Sequence, residues 1–424
     1  MGYFVLILIN LLFPVGGLLI IAYFLFSSRR NLLKSLKSEF SQRFMLRAEG
    51  QVLRDYIWIH AASVGEVRSV IKLAQDLKEA YNRPILLTAA TAAGRNVALK
   101  EPVFDKAVLM PVDFYPLVKR FIRLYGPKTL LIVESDFWPN MIIASGRSGL
   151  DVGVINARLS VKSAKRYIFL SQIVGLAFRN IKFICAQSQA IKERYLTLPL
   201  EPSKVYLTGN IKYDILNTSP ARAGEVEEII TALGWQSSPI VTAGSTHEEE
   251  ERVITAAAKI LPDVKFILTP RHLERKKYIL QTLEQSGLKF AVLSKLKNKA
   301  PQGTQILLAD TMGWLGALYQ AATITFVGGS ITKKGGHNFL EAAVLEKPVL
   351  LGRHFYNAPD VAAKLLETGG GILVNADNFA KVIEDLLSNP VRLQRAAHAA
   401  LEAALSFKGA TKKTLEVIEK YERK

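Results

Sequence analysis

The sequence predicts an α/β protein made of two doubly wound domains, each built on a parallel sheet. Short apolar, β-branched runs alternate with longer segments whose apolar residues recur every three or four positions, the pattern of strands alternating with helices. The chain has 424 residues, which exceeds one typical hydrophobic core and suits two domains of roughly 200 residues. Ligands of such sheets bind beyond the carboxyl ends of the strands, so polar residues that follow strands are the functional candidates.

Basic residues are concentrated in the first half of the chain. Of the net charge of +18, residues 1–215 carry +14 (29 basic, 15 acidic) and residues 216–424 carry +4 (26 basic, 22 acidic). This asymmetry predicts a polyanionic partner for the first half, either nucleic acid or an anionic membrane or lipid. The single cysteine, Cys185, excludes an internal disulfide and a thiolate cluster and is typical of a reducing compartment.

The first segment favours the membrane. Residues 2–26 carry no charged side chain and are long enough to cross a hydrocarbon layer of about 30 Å. Arg29, Arg30, Lys34 and Lys37 follow, which by the positive-inside rule places the domains in the cytoplasm, behind a single-pass anchor. A cleaved signal peptide is the alternative, but its basic residues would precede the apolar run. A proline and two glycines in the run leave an interfacial or re-entrant insertion open.

The remaining elements follow in order. A basic, helix-prone segment over residues 30–55 suits a helix lying on lipid headgroups. Strands of the first domain are predicted at residues 56–60, 84–89, 107–111, 129–133, 152–156 and 183–186. Strands of the second domain are predicted at residues 239–243, 265–269, 289–292, 305–308, 324–327, 348–351 and 371–374. The predicted organisation is an anchor over 1–27, Rossmann-like domains over 28–217 and 218–405, and a C-terminal helix over 406–424 able to cross back.

A glycine-rich loop in the second domain is a candidate anion site. Gly328-Gly329-Ser330 ends a strand, and Gly335-Gly336-His337-Asn338 is expected to open a helix that carries Glu341 and ends before Lys347. Unpaired N–H groups and the positive end of the helix dipole suit a phosphate, and a carboxylate one turn away suits sugar hydroxyls. Ordinary turn chemistry is the alternative interpretation.

Several short polar segments follow predicted strands on both domains. They are residues 60–66 (HAASVGE), 134–140 (ESDFWPN), 156–160 (NARLS), 209–214 (GNIKYD), 243–247 (AGSTH), 269–272 (TPRH), 310–313 (DTMG) and 335–341 (GGHNFLE). In this order the set resembles the family of 3-deoxy-D-manno-octulosonic acid (Kdo) transferases. The resemblance implies a GT-B fold with two domains facing across a cleft. It also implies transfer of Kdo from CMP-Kdo to a lipid A precursor of lipopolysaccharide, with no cofactor and no metal.

Glu66 is the predicted proton acceptor. It follows the first strand, where an inverting transfer would need a carboxylate to deprotonate the acceptor hydroxyl, and the resemblance assigns it that role. The alternative makes it a first-turn glutamate that only complements the helix dipole. The residues predicted to contact the acceptor are Ser63, Gly65 and Arg158.

Glu134, Asp136 and Lys212 are predicted to position the nucleophile or to stabilise an oxocarbenium-like transition state. A strand-end ion pair is the alternative. The family usually has glutamate where this chain has Asp136, so the reach of this side chain differs.

The second domain is predicted to bind the donor. Arg271 suits a bidentate phosphate contact and Ser245 a single hydrogen bond, while Glu341 would accept from the ribose. Trp314 stands where the family usually has glutamate, so that role is not carried over. The full predicted donor set is Ser245, Pro270, Arg271, Met312, Gly313, Trp314, Gly336, Asn338, Phe339, Leu340 and Glu341.

No metal site is predicted. The chain has no His-x-x-x-His or Asp-x-Asp pair, and the acidic run at residues 248–251 is expected to be a solvated helix start. His60, His247, His272 and His337 lie on separate motif loops, where hydrogen bonding or packing is favoured over zinc binding.

Two other functions stay open. One is a GT-B enzyme that uses a UDP-sugar, of the lipid disaccharide synthase or epimerase type; the other is a non-catalytic membrane scaffold. Nucleic-acid binding lacks support, because no recognition helix or aromatic-interleaved basic strand is present. The predicted partners are therefore CMP-Kdo, a lipid A precursor and the anionic lipid surface of the inner membrane.

Overall fold

The computed structural model describes residues 10, 39–46, 53–216, 219–296 and 301–422. The predicted anchor over 1–27, apart from residue 10, and most of the segment over 30–55 lie outside these residues. Within the described part of the chain, no helix has the length and apolar character needed to cross a bilayer. The chain forms two compact units, Met1–Ile215 with Gly409–Lys424, and Leu216–Lys408.

The first unit contains a seven-stranded parallel sheet in the order β3-β2-β1-β4-β5-β6-β7. Its strands are β1 (Ile57–His60), β2 (Ile85–Ala89), β3 (Lys106–Leu109), β4 (Thr129–Val133), β5 (Asp151–Ala157), β6 (Ile181–Ala186) and β7 (Val205–Leu207). The α-helices between β1 and β7 are α1 (Val64–Tyr81), α2 (Ala92–Ala98), α3 (Tyr115–Tyr125), α4 (Pro139–Arg147), α5 (Val161–Phe169), α6 (Ser171–Arg179) and α7 (Gln189–Leu196). The central strands are buried along their whole length, because helices cover both faces of a parallel sheet.

The second unit repeats this architecture, with the strand order β10-β11-β9-β8-β12-β13-β14. Its strands are β8 (Ile240–Thr246), β9 (Lys265–Pro270), β10 (Phe290–Val292), β11 (Ile306–Leu308), β12 (Ile324–Val327), β13 (Val349–Leu351) and β14 (Gly371–Leu373). Its helices are α8 (Ala223–Leu233), α9 (Glu248–Ile260), α10 (Lys276–Ser286), α11 (Leu315–Gln320), α12 (Leu340–Ala343), α13 (Pro359–Thr368), α14 (Phe379–Leu387) and α15 (Pro390–Leu405). The prediction of two doubly wound parallel sheets is therefore confirmed.

The last helix, α16 (Ala410–Glu419), packs on the first unit. The Asp214 carboxylate caps it by accepting hydrogen bonds from the N–H groups of Gly409 (2.6 Å) and Thr411 (2.5 Å). Beyond the helix, the hydroxyls of Tyr421 and Tyr206 lie 2.9 Å apart. The chain thus leaves the second unit after residue 408.

Each sheet has one topological switch point, where the strand order changes direction. In the first unit it lies between β1 and β4, and in the second between β8 and β12. Strands that meet there send their connections to opposite sides, which leaves a crevice at their carboxyl ends. At the first switch point His60 ends β1 and Glu134 follows β4; at the second, Ser245 is the last residue but one of β8 and Gly328 follows β12.

Candidate functional site

Glu66 lies in the first turn of α1, just beyond β1. Its Oε2 accepts a hydrogen bond from the Ala62 N–H (2.8 Å), and its Oε1 accepts one from the Ser63 hydroxyl (3.0 Å). Ser63 is the N-cap of the helix, so Glu66 takes part in a capping arrangement. Burial raises the pKa of Glu66, the two hydrogen bonds oppose that rise, and the charges of Glu134 and Asp136 add to it. A raised pKa makes this carboxylate a stronger base than an ordinary one.

Glu134 directly follows β4 and forms an ion pair with Lys212, the arrangement given by the alternative interpretation. Its backbone is left-handed (φ 60°), a conformation that non-glycine residues seldom adopt and that is concentrated at functional sites. Its Oε1 lies 2.6 Å from Lys212 Nζ. The turn that carries the lysine is held by Asn156, whose Oδ1 accepts from the Ile211 N–H (3.1 Å).

Asp136 is held by a buried histidine. Its Oδ2 lies 2.8 Å from His60 Nε2, and the side chains of His60 and Asp136 are 0% and 26% exposed. Burial alone would raise the pKa of Asp136, but the hydrogen bond with His60 lowers it below the ordinary value. Neighbouring carboxyl groups whose pKa values are pushed apart are suited to different roles. Asp136 is thereby kept ionised, while Glu66 is the better proton acceptor.

The predicted acceptor contacts surround this site. Ser63 caps α1, Gly65 lies in its first turn, and both are exposed. The N–H of Arg158 donates to the backbone oxygen of Glu134 (3.4 Å), and the Arg158 side chain is exposed. The first unit therefore gathers all its predicted site residues at one switch point.

A cavity of about 230 Å³ lies beyond the carboxyl ends of β8, β9 and β11 in the second unit. It is lined by six predicted donor residues, which are Ser245, Pro270, Arg271, Met312, Gly313 and Trp314. Ser245 has a left-handed backbone (φ 54°). The Arg271 N–H is bound to the Thr246 oxygen (3.0 Å), while its guanidinium makes no hydrogen bond to the residues that the structure describes.

The other predicted donor residues lie around α12 and differ in whether their side chains are exposed to a ligand. The Phe339 and Leu340 side chains are fully buried, so only their backbone could contact a ligand. Asn338 is exposed and donates from Nδ2 to Glu341 Oε1 (3.0 Å). Although Glu341 is partly exposed, the protein packed around it raises its pKa, and Asn338 and Arg271 act in the opposite direction.

The glycine-rich loop is not the helix start that the sequence predicts. The N–H of Gly336 donates to the Gly329 oxygen (2.7 Å), and that of His337 donates to the Gly328 oxygen (3.1 Å). Gly335 and Gly336 have left-handed backbones (φ 92° and 72°), so a helix cannot run through them. Helix α12 begins only at Leu340 and spans four residues. Two of the N–H groups expected to cradle a phosphate here, those of Gly336 and His337, are already paired.

The expectation of a solvated acidic run at residues 248–251 is wrong for two of its members. Glu250 and Glu251 are 0% and 1% exposed. The Glu250 carboxylate accepts hydrogen bonds from the N–H groups of residues 329–332 at 2.9–3.3 Å, and from the His247 N–H at 3.0 Å. Glu251 is paired with Arg275 (3.1 Å). An internal carboxylate thus occupies the anion-binding part of the glycine loop.

Three motif histidines meet in the second unit. His247 Nε2 lies 3.0 Å from His337 Nε2, and the rings of His247 and His272 are 5.6 Å apart. Burial, together with the charges of His337 and His272, lowers the pKa of His247 to about 4. No group of three His, Cys, Asp or Glu among the described residues could hold a metal ion.

The sequence does not identify Glu250 as the residue that binds the backbone of residues 329–332. A local signal was present, because His247 and Glu250 have the spacing of a capping box and the structure shows one. Trp58 Nε1 donates a hydrogen bond to Thr88 Oγ1, which also contacts His60 Nδ1. No local pattern in the sequence predicts these buried contacts, since they depend on the pairing of β1 with β2.

Two Rossmann-like parallel sheets on one chain define the class of fold, which is the α/β fold of GT-B type. A crystal structure of a glycosyltransferase from Rickettsia africae superposes with a TM-score of 0.62 at 14% identity, covering 87% of this chain and 98% of that one. This likeness is one of fold.

The sequence comparisons are more specific. A family model described as 3-deoxy-D-manno-octulosonic-acid transferase (kdotransferase) matches residues 38–215. The 3-deoxy-D-manno-octulosonic acid transferase of Haemophilus influenzae is 34% identical over 86% of this chain and 87% of its own length. That of Bordetella pertussis is 30% identical over 86% of each chain. The protein belongs to the 3-deoxy-D-manno-octulosonic acid transferase family.

Proposed function

We propose that this protein transfers Kdo from CMP-Kdo to a lipid A precursor, with inversion at the anomeric carbon and without a metal. The observation that carries the proposal is Glu66, a carboxylate of raised pKa at the switch point of the first sheet, on a chain 34% identical to a named Kdo transferase. Glu66 takes the proton of the attacking acceptor hydroxyl as its oxygen bonds to the anomeric carbon. The bond to the CMP phosphate breaks, and its electron pair leaves on the phosphate oxygen.

The charges around Glu66 suit this step. An oxocarbenium-like centre gains positive charge, which the ionised Asp136 would stabilise, and the Glu134–Lys212 ion pair would orient the reactants. Ser63, Gly65 and Arg158 would contact the acceptor. A UDP-sugar donor remains the second candidate, because the GT-B fold serves both nucleotides.

The donor would bind at the cavity of the second unit. The Arg271 guanidinium, which has no hydrogen bond to a described residue, would bind the phosphate of CMP, and Ser245 would add one hydrogen bond. Asn338 and Glu341 would meet the ribose through side chains, whereas Phe339 and Leu340 would contribute backbone groups only.

The first prediction concerns the nucleotide. We expect calorimetric titration to detect CMP binding and much weaker UDP binding. Arg271→Ala should weaken CMP binding about ten-fold or more, since a charge-assisted contact to phosphate is lost. Lys277→Ala, an exposed neighbour on α10, is the matched control. Binding of UDP without CMP would overturn the proposed donor, and mass spectrometry of lipid A precursor incubated with CMP-Kdo would detect the product.

The proposed location is the cytoplasmic face of the inner membrane, with residues 1–27 as a single-pass anchor. A surface of the first unit supports contact with anionic lipid. Helix α5 exposes Val161, Ile168 and Phe169, the last at 86%, beside exposed Lys162, Lys165 and Arg166. Apolar side chains flanked by cations suit the headgroup region of an anionic bilayer. Tyr167 of the same helix lines the cavity beside Glu134 and Asp136.

The second prediction tests that surface. In flotation assays with vesicles containing phosphatidylglycerol, the double variant I168S/F169S should bind more weakly than wild type by about 30-fold or more, because about 2 kcal/mol or more of apolar insertion is lost. Val391→Ser, which changes an apolar residue 67% exposed on α15, is the control. Equal vesicle binding by all three proteins would remove α5 from the membrane contact.

A further inference from the structure

His60 is a fully buried polar residue beside the first switch point. It ends β1 and is 0% exposed. Its Nε2 lies 2.8 Å from Asp136 Oδ2, and its Nδ1 lies 2.9 Å from Thr88 Oγ1 on the neighbouring strand β2. Thr88 Oγ1 in turn accepts a hydrogen bond from Trp58 Nε1 (2.8 Å). Four side chains thus form one chain of hydrogen bonds from the core to the site.

The donors and acceptors in this chain fit only one neutral tautomer of His60. The Trp58 indole can only donate, so it uses a lone pair of Thr88 and leaves the threonine proton for His60 Nδ1. The ionised Asp136 can only accept, so the proton of His60 must lie on Nε2. A proton on Nδ1 as well would leave the hydroxyl proton of the fully buried Thr88 without this acceptor, which is costly.

The relay ends on a side chain that faces solvent. The Asp136 side chain is 26% exposed while its histidine partner is fully buried, so a rigid core group holds a group at the edge of the site. Asp136 lies two residues after Glu134, whose left-handed backbone (φ 60°) makes this loop an unusual conformation to maintain. The hydrogen bond between His60 on β1 and Asp136 ties this loop to the sheet and limits the conformations that it can adopt.

We propose that His60 is a positioning residue, which fixes the Asp136 carboxylate for transfer through the relay Trp58–Thr88–His60. The inference rests on the role proposed for Asp136 in stabilising the transition state. Its consequence is that His60 acts only through Asp136 and does not contact the sugar or the nucleotide.

A double-mutant cycle tests the proposal. His60→Asn cannot span to Asp136 and should lower kcat about ten- to hundred-fold, with KM for CMP-Kdo changed less than about two-fold. Adding His60→Asn to Asp136→Asn should have no further effect. His60→Gln, whose amide can reach the position of Nε2, should recover most of the activity. Full additivity of the two Asn substitutions would show that His60 acts independently of Asp136 and would overturn the proposal.

A measurement on the wild-type protein guards against variants that fail to fold. In ¹⁵N spectra of histidine-labelled protein, His60 should show a protonated Nε2 and an unprotonated Nδ1. Thr88→Val, which keeps the shape of the side chain, should leave the proton on Nε2 but shift the Nδ1 resonance, because Nδ1 loses its hydrogen-bond donor. A protonated Nδ1 in the wild type would overturn the relay. Absence of Kdo transfer by the wild type would instead overturn the proposed function, and the tautomer would still decide the relay.

Discussion

Replacing Glu66 with glutamine should lower kcat about 10²- to 10⁴-fold, the usual contribution of a general base. Glutamine keeps the size of the side chain; its oxygen can still accept from the Ala62 N–H and its NH₂ group can donate to the Ser63 hydroxyl oxygen, so the capping of α1 should survive. CMP binding, which is proposed for the second unit, should be unchanged. The measurement is single-turnover transfer of Kdo to lipid A precursor beside titration with CMP.

Glu79→Gln is the control, because Glu79 is exposed on the same helix and undergoes the same change. If Glu66→Gln retained transfer and lost only thermal stability, Glu66 would be a capping residue and the base would lie elsewhere.

The pH profile gives an independent readout of the same residue. Burial, with the charges of Glu134 and Asp136 added, raises the pKa of Glu66, and a base must be ionised to act. Activity should therefore fall, as pH decreases, through a value above that of an ordinary glutamate. Asp136→Asn removes one of the repelling charges, so the acid limb of kcat/KM should move to lower pH.

Glu250→Gln should destabilise the second unit by about 3 kcal/mol or more. The wild-type carboxylate satisfies four consecutive N–H groups of residues 329–332, and an amide would turn an NH₂ group against some of these donors. Each buried polar group left unpaired costs about 1–3 kcal/mol. Calorimetric or urea unfolding would measure the loss, and weaker CMP binding should accompany it because the loop leads to Asn338.

Glu249→Gln is matched to this variant, since Glu249 lies in the same helical turn but is exposed. It should change the free energy of unfolding by less than about 0.5 kcal/mol. Equal stability of both variants would mean that the loop N–H groups find other partners.

Local patterns predicted much of the fold. The apolar runs that became β1 and β4, and the helical spacing that became α1, are visible in the sequence because each element buries a continuous face. The short strand β7 (Val205–Leu207) was not predicted, since three residues at a sheet edge, the last exposed, carry little periodic signal.

The candidate site also contains features that the local sequence predicts and features that it does not. Glu66, Glu134 and Arg271 could be chosen from the sequence because each follows a strand, and strand ends meet at one edge of a parallel sheet. The glycine loop could not be interpreted correctly, because Glu250, about 80 residues earlier in the chain, binds the N–H groups of Gly329 and Ser330. The N–H groups of Gly336 and His337 donate to backbone oxygens of the same loop.

By itself, the sequence determined the class of fold, the family and the polar residues at the strand ends, all of which are encoded in local spacing. Only the tertiary structure decided which of these groups are charged, buried or already paired. The reason is that pKa values and hydrogen-bond partners depend on neighbours brought together by strand order, as His60 is with Asp136 and Glu250 with the glycine loop.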